Sequence, residues 1–310
     1  MRLRDVEKGD GFRYQLLIKF ISTVSGMRLP DAARIVMYHQ EFYGKPMTAW
    51  THATMRGDSN WSIGEREFFA AMIAKWNSCI FCVDAHSSIA SLVLGKPFVT
   101  AAVDNFQRAN LPPKLYAILT FLEILTKTPE NLTSENVHDV LRKDISAREL
   151  EDAIAICTLF SITVRCANVL NFALLEDTDS TRGAKRMLKQ GYVFGKSKNI
   201  GPADHRTFAE ILRKRIFEEP GKTDVKLRKA MARSATKGHY IKGGYELAEC
   251  YDELALAIGE GGLQCTDEQV RKVIITSGSE KAAFELITAA AAGAGLYRWD
   301  KGLSILMDAR

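Results

Sequence analysis

The sequence predicts an all-α protein, because apolar residues recur at helical spacing along most of the chain and strand-like alternation is almost absent. Residues 62–76 show the pattern clearly: Phe69, Met72, Ile73 and Trp76 follow one another at helical spacing and share one helix face. The sequence does not show the alternation of strands and helices that would indicate a parallel sheet. The predicted fold is therefore a bundle of helices.

Glycine and proline mark the limits of the first helices. A helix over residues 13–25 should end at Gly26, because glycine readily takes the left-handed conformation that closes many helices. The next should begin near Pro30 and Asp31, since proline fits the first helical turn. Further helices are predicted over residues 62–76, 113–126, 134–143, 147–175, 204–218, 223–237, 245–259, 267–276 and 279–298.

Composition and charge place the chain among ordinary globular proteins, with 46% hydrophobic and 25% charged residues. No apolar run reaches the roughly 18 residues of a membrane span, and residues 1–10 lack the apolar core of a secretory signal, so we expect a cytoplasmic protein. Residues 181–245 hold 17 Lys and Arg against 5 Asp and Glu. These charges fall among apolar residues at helical spacing, which favours a solvated helix face over a nucleic-acid partner.

An internal repeat indicates a duplicated structural unit. Residues 132–170 align without a gap onto residues 265–303 at an offset of 133. In each copy a Thr-x-x-Asn/Gln sequence should cap a short helix, and Ser146 or Ser279 should cap the long helix that follows. Identical pairs include Thr133/Thr266, Glu135/Glu268, Val137/Val270, Val140/Val273, Ser146/Ser279, Ile154/Ile287, Arg165/Arg298 and Leu170/Leu303.

Of the six cysteines, only Cys79 and Cys82 are close together in sequence. Asn77 and Ser78 can both cap a helix, so Cys79 should lie in the first turn of a new one. Cys82 is then three residues further along, and His86 a further four, so both sulfurs and the imidazole share a face. Free N–H groups and the positive end of the helix dipole favour a thiolate there. The other four cysteines lie in or beside apolar stretches and are interpreted as structural: Cys157, Cys166, Cys250 and Cys265.

Glu67 can join this dithiol only if the chain turns back. A continuous helix would hold Glu67 roughly 18 Å from the first cysteine. A break at residues 77–78 would instead make two antiparallel helices, with Glu67 level with His86 and able to orient the imidazole. We expect Phe68, Phe81 or residues of the first helices to shield this pair from solvent.

The pattern Glu-x11-Cys-x2-Cys-x3-His, at Glu67, Cys79, Cys82 and His86, resembles the motif of alkylhydroperoxidase D-like proteins of the carboxymuconolactone decarboxylase superfamily. The resemblance extends well over residues 30–175 and more loosely over residues 200–303. It also includes Trp61-Ser-Ile-Gly-Glu-Arg-Glu, Pro129-x-Asn-Leu-Thr-Ser-Glu-Asn-Val and Phe160-x4-Arg165.

The resemblance and the repeat together predict two domains. Residues 1–180 would form an alkylhydroperoxidase D-like catalytic domain, and residues 181–310 a second, partly duplicated helical lobe without the CxxC pair. The boundary is predicted at the polar stretch 176–183 or at the Gly- and Lys-rich stretch 195–203.

The resemblance implies an all-helical homo-oligomer that reduces hydroperoxides through thiols. Four residues become candidate catalytic residues: Glu67, Cys79, Cys82 and His86. Cys82 would attack the peroxide and Cys79 would resolve the sulfenic acid as a disulfide. No bound cofactor and no metal are implied, and the partners would be a small-molecule hydroperoxide and a dithiol reductant or lipoyl-type adaptor protein.

One departure from the family concerns Phe81, which stands where the best-characterised members have a second histidine. With an apolar ring at this position, the chain lacks a polar side chain that the proton relay of those members contains. His39 or His52 could replace it only if the fold brought either to the site, and a lone histidine is more often a structural residue.

Three alternatives stay open at this point. A zinc site could use both thiolates, the imidazole and the carboxylate, although structural zinc usually joins ligand pairs from two segments. A non-catalytic redox sensor or scaffold could use the same dithiol. A decarboxylase or lactone-processing activity, as in other branches of the superfamily, would not need the CxxC pair.

Overall fold

The computed structural model describes residues 1–26, 28–174, 177–193, 204–243 and 246–309. Its helices are Arg4–Lys8 (α1), Gly11–Ser25 (α2), Asp31–Met37 (α3), Lys45–Arg56 (α4), Ile63–Trp76 (α5), Ile80–Leu94 (α6), Lys96–Asn105 (α7), Pro113–Lys127 (α8), Ser134–Leu141 (α9), Ala147–Leu170 (α10), Asp177–Gln190 (α11), His205–Phe217 (α12), Val225–Ala235 (α13), Glu249–Gly259 (α14), Asp267–Ser277 (α15) and Glu280–Asp308 (α16). A π-helical turn covers Gln40–Gly44 and a 3-10 turn Pro129–Asn131.

The all-α prediction is confirmed, since all regular secondary structure elements in the described ranges are helices. Gly26 closes α2 with a φ of 64°, as its position predicts. Helical periodicity missed α1, α4, α7 and α11. In α11, charged and small polar residues leave few apolar positions from which a period can be read. This helix occupies most of residues 176–183, which the sequence marks as a boundary, and the alternative boundary at 195–203 lies outside the described residues.

The chain forms two compact units that each take three separate segments. Unit 1 comprises Met1–Ala49, Ile162–Leu175 and Arg206–Ala294, and unit 2 comprises Trp50–Ser161, Glu176–His205 and Gly295–Arg310. This division differs from the contiguous domains 1–180 and 181–310. The long helices α10 and α16 are divided after Ser161 and after Ala294, two positions that the repeat aligns. The sequence repeat alone does not show that the last part of each copy belongs to a different unit from the rest of that copy.

The caps predicted for the two copies of the repeat are confirmed. Thr133 forms a capping box with Asn136 at the start of α9, and Thr266 forms the same box with Gln269 at the start of α15. The serine before each long helix also accepts a hydrogen bond from the backbone three residues on. Equivalent sequences therefore start equivalent helices for the same physical reason.

A buried arginine makes an equivalent hydrogen bond to a backbone carbonyl in each unit. In unit 1, Arg165 donates to the carbonyl oxygen of Gly259 at 3.0 Å. In unit 2, Arg298 donates to the carbonyl oxygen of Thr126 at 2.7 Å. The offset of 133 pairs both the two arginines and the two acceptors, so each unit contains one version of this contact.

A buried acid on each long helix pairs with a histidine. Asp152 of α10 accepts from His205 Nε2 at 3.0 Å in unit 2. Its repeat equivalent on α16, Glu285, contacts His39 Nε2 at 2.7 Å in unit 1. Both histidines are thus held by structural carboxylates.

The two copies differ where the CxxC helix stands. In unit 2, helices α6 and α7 lie between α5 and α8. In unit 1, α13 corresponds to α5, and the next described helix is already α14. α5 and α13 each place a buried arginine, Arg66 or Arg228, four residues after the N-cap. The next residue is Glu67 in α5 but Lys229 in α13. The described part of unit 1 therefore lacks both the carboxylate and the cysteine helix.

α10 is long and apolar enough to span a membrane by length and composition, but 89% of its most apolar window is buried. Such burial is typical of the central helix of a globular protein.

Glu285 should link folding stability to pH. Burial alone would raise the pKa of Glu285, but hydrogen bonds from His39, Thr223 and the backbone outweigh burial and lower the pKa to about 2. Because the pKa is lowered in the folded state, ionised Glu285 stabilises the folded protein at any pH above its ordinary pKa near 4.5. This contribution disappears as the pH falls from 4.5 toward 2. Glu285→Gln should lower the free energy of unfolding at neutral pH by roughly 2–3 kcal/mol and flatten its acid limb.

Denaturant unfolding of both proteins between pH 7 and strongly acidic pH measures this effect. Glu268→Gln, which changes a surface carboxylate paired with Arg271, is the matched control and should change stability by less than ~0.5 kcal/mol. An unchanged acid limb in Glu285→Gln would contradict the assignment.

Candidate active site

A helical hairpin, α5–turn–α6, positions the cysteines. Ser62 starts α5 with a capping box, and Asn77 closes it by donating to a carbonyl of the last turn. Ser78 has a φ of 55° and cannot serve as the extended N-cap that the sequence predicts. Cys79 is the N-cap residue instead of lying in the first turn, and α6 begins at Ile80.

The predicted reversal of the chain is confirmed by the pairing of Glu67 with His86. Glu67 Oε2 lies 2.7 Å from His86 Nδ1, and both side chains are buried. α5 and α6 approach closely at Gly64, where a Cβ atom would come within 2.7 Å of Val93. The break between α5 and α6 thus makes the relay geometrically possible.

Cys79 and Cys82 form a buried pair at the start of α6. Their sulfur atoms lie 2.7 Å apart, and the side chains are 1% and 2% exposed. Cys79 Sγ accepts from the backbone N–H of Cys82 at 3.4 Å, so the N-cap contact itself holds the pair together. His86 follows Cys82 by four residues on the same helix and lies on the same face.

Glu67 receives hydrogen bonds from three side chains. Arg56 Nη2 donates to Oε1 at 2.7 Å, and the Tyr192 hydroxyl donates to Oε1 and Oε2 at 2.9 and 3.0 Å. Complete burial by itself would raise the pKa of Glu67. The hydrogen bond and charge of His86 and the charge of Arg56 outweigh this and lower the pKa, so the carboxylate stays ionised.

The ionised carboxylate fixes the tautomer of His86. Because Glu67 only accepts hydrogen bonds, His86 Nδ1 must carry the proton between them, which leaves Nε2 of a neutral imidazole as the acceptor. The ring of Phe160 meets the imidazole edge to face at 4.5 Å, and the Tyr192 ring lies nearly parallel to it at 6.5 Å. These two rings supply the shielding expected of Phe68 and Phe81.

Sequence reasoning missed Arg56 and Tyr192. Arg56 ends α4, eleven residues before Glu67, and Tyr192 follows α11, between the two stretches predicted as domain boundaries. Neither belongs to a local motif. Burial raises the pKa of the Tyr192 phenol well above its ordinary value, and so does the negative charge of Glu67, so the hydroxyl remains a donor.

The other predicted candidates have structural partners. His39 contacts Glu285 in unit 1 and does not belong to the dithiol site. His52 Nδ1 accepts from the backbone N–H of Tyr192 at 3.2 Å, so it supports a site residue without touching Glu67 or His86 by any hydrogen bond in the structure. Phe81 is half-buried, one residue before Cys82.

The donors around Glu67 bear on the zinc hypothesis. Within the described ranges no group of three or more His, Cys, Asp or Glu residues could hold a metal ion. A zinc ion bound by Glu67 would have to displace Arg56, Tyr192 or His86 from an oxygen atom.

Comparisons with known proteins give partial structural likenesses. No protein-family model and no curated protein matches the chain. The structure is similar to the alkylhydroperoxidase AhpD core of an uncharacterized peroxidase-related protein from Ralstonia eutropha JMP134, with 22% identity, a TM-score of 0.47, and coverage of 56% of this chain and 90% of that one. It is also similar to an uncharacterized peroxidase-related protein from Silicibacter sp. TM1040, with 20% identity, a TM-score of 0.49, and coverage of 56% and 91%. A function therefore has to be argued from the site itself.

Mild oxidation should join Cys79 to Cys82, because their sulfurs already lie within contact distance. Peptide mapping of peroxide-treated protein should recover the 79–82 link. Cys157 and Cys166, buried elsewhere, should remain unlinked and serve as internal controls. If both Cys79 and Cys82 remain alkylatable after peroxide treatment, the redox hypothesis is wrong.

Proposed function

We propose that this protein is a thiol-dependent hydroperoxidase or disulfide reductase that uses the Cys79/Cys82 dithiol, with His86 as base and Glu67 as its orienting carboxylate. The observation that carries the proposal is the 2.7 Å contact between Glu67 and His86, one helical turn from Cys82. Glu67, His86 and a thiol form the arrangement by which a base activates a nucleophile.

The proposed cycle begins with proton transfer from the Cys82 thiol to His86 Nε2. The thiolate attacks one peroxide oxygen, the O–O bond breaks, and the leaving alkoxide takes the proton back from His86 as the alcohol departs. Cys82 is now a sulfenic acid. The Cys79 sulfur displaces its hydroxyl group, water leaves, and a disulfide forms. A dithiol reductant then restores both thiols by exchange and leaves as its own disulfide.

Glu67 and Arg56 together make this proton transfer favourable. Their opposite charges offset one another, so the site does not bury a net charge while His86 is neutral. When His86 takes the proton, the charged carboxylate at 2.7 Å stabilises the imidazolium and, through it, the thiolate. The apolar Phe160 ring beside the imidazole strengthens that attraction by excluding water.

A second candidate is a non-catalytic redox sensor or scaffold. The burial of both sulfurs, at 1% and 2% exposure, favours it, because slow access suits a switch better than a catalyst. For the enzyme, the same burial selects small or slender hydroperoxides. We further propose homo-oligomers, a reducing cytoplasmic location, and a dithiol reductant or lipoyl-type adaptor protein as partner.

Turnover of hydrogen peroxide and of the bulkier cumene hydroperoxide, each with dithiothreitol, tests the enzyme against the sensor. Wild-type protein should consume peroxide catalytically, and Cys82→Ser should lose essentially all turnover because the nucleophile is gone. Cys250→Ser, at a half-buried cysteine of unit 1, is the matched control and should keep full activity. A single round of thiol oxidation without turnover would favour the sensor.

The two cysteines should divide the chemistry. Cys82 lies nearer His86 along α6, so it should react first. In Cys79→Ser the resolving thiol is absent, and dimedone should label a sulfenic acid on Cys82. Dimedone labelling of Cys79 in Cys82→Ser, with none in Cys79→Ser, would reverse the assignment.

A further inference from the structure

Tyr192 is the one donor to Glu67 that reaches both carboxylate oxygens. Its hydroxyl lies 2.9 Å from Oε1, 3.0 Å from Oε2 and 3.5 Å from His86 Nδ1. Arg56 binds only Oε1, and His86 binds only Oε2. The phenol therefore bridges the two halves of the carboxylate.

The backbone holds this phenol firmly in place. Gly191 has a φ of 72°, and a Cβ atom there would lie 2.8 Å from His52 Cε1 and 2.9 Å from Arg56 Cγ. The next N–H, that of Tyr192, donates to His52 Nδ1. Arg56 also donates to the Met187 carbonyl at 3.0 Å. The end of α11, Gly191 and Tyr192 are thus anchored against His52 and Arg56.

The bridge constrains the plane of the Glu67 carboxylate. Without the hydroxyl, the carboxylate could rotate so that both oxygens face the charged fork of Arg56, which is its preferred partner geometry. Oε2 would then turn away from His86, and the imidazole would lose the acceptor that fixes its tautomer. The phenol opposes this rotation because its one proton is shared between the two oxygens in their present positions.

We propose that Tyr192 is a positioning residue of the thiol site, which acts through Glu67 to keep His86 aligned as the base for Cys82. The inference rests on the proposed function, since it assigns Tyr192 a part in activating the same nucleophile. It joins residues after α11 to a site whose other members all lie within residues 50–161.

A double-mutant cycle on Cys82 alkylation tests this role without any peroxide. The rate of iodoacetamide modification of Cys82 is followed by peptide mass mapping as a function of pH, in wild type, Tyr192→Phe, Glu67→Gln and the double variant. Tyr192→Phe keeps the ring beside His86 and removes only the hydroxyl. It should slow alkylation at neutral pH about tenfold and move the pH profile about one unit upward.

The decisive result is the absence of additivity. If Tyr192 acts through Glu67, then Tyr192→Phe should change the Glu67→Gln rate by less than about twofold. Tyr116→Phe, at an exposed tyrosine of α8, should leave rate and profile unchanged. An unaltered Tyr192→Phe profile, or full additivity with Glu67→Gln, would overturn the proposal. Loss of peroxide turnover in wild type, with the cycle still non-additive, would instead contradict only the proposed function.

Discussion

Glu67 carries a negative charge at a position without solvent contact, and the site is built around the need to compensate it. An isolated carboxylate in such surroundings would cost several kcal/mol. Arg56 from α4, His86 from α6 and Tyr192 from beyond α11 meet at its two oxygens, although they are far apart in sequence. The reversal of the chain between α5 and α6 belongs to the same constraint, because a straight helix would carry His86 away from Glu67. Each donor also limits how the others can move.

The two units share a framework of equivalent contacts, but among the described residues only unit 2 contains the candidate site. Equivalent caps, arginine–carbonyl contacts and acid–histidine pairs recur in both units. These contacts satisfy buried polar groups, so losing any of them would cost stability, and they persist in both copies. The described part of unit 1 has no counterpart of the cysteine helix. Tyr192 belongs to the same compact unit as residues 50–161, although helix α10 separates them in sequence, and it contributes to the site there.

The surroundings of the dithiol suit a nucleophile that is protected until it reacts. Both sulfurs are buried, and Phe81 adds a half-buried apolar neighbour. The Glu67–His86 pair adds an ionised carboxylate to these surroundings, and that carboxylate holds the imidazole proton on Nδ1. The proposed thiol chemistry would therefore draw on this pair as well as on the helix dipole by which the sequence first indicated a thiolate.

The sequence by itself determined the helical class, the helix caps of the repeat, and the grouping of Cys79, Cys82 and His86, because these depend on contacts between residues a few positions apart. It also predicted the pairing of Glu67 with His86, since a single turn of known position brings them level. The N-cap role of Cys79 was decided by the left-handed conformation of Ser78, which residue type does not fix. Arg56, Tyr192 and the exchange of segments between units were decided only by the tertiary structure. A buried charge draws its partners from wherever the fold places donors, and that choice leaves no periodic or local signal in the chain.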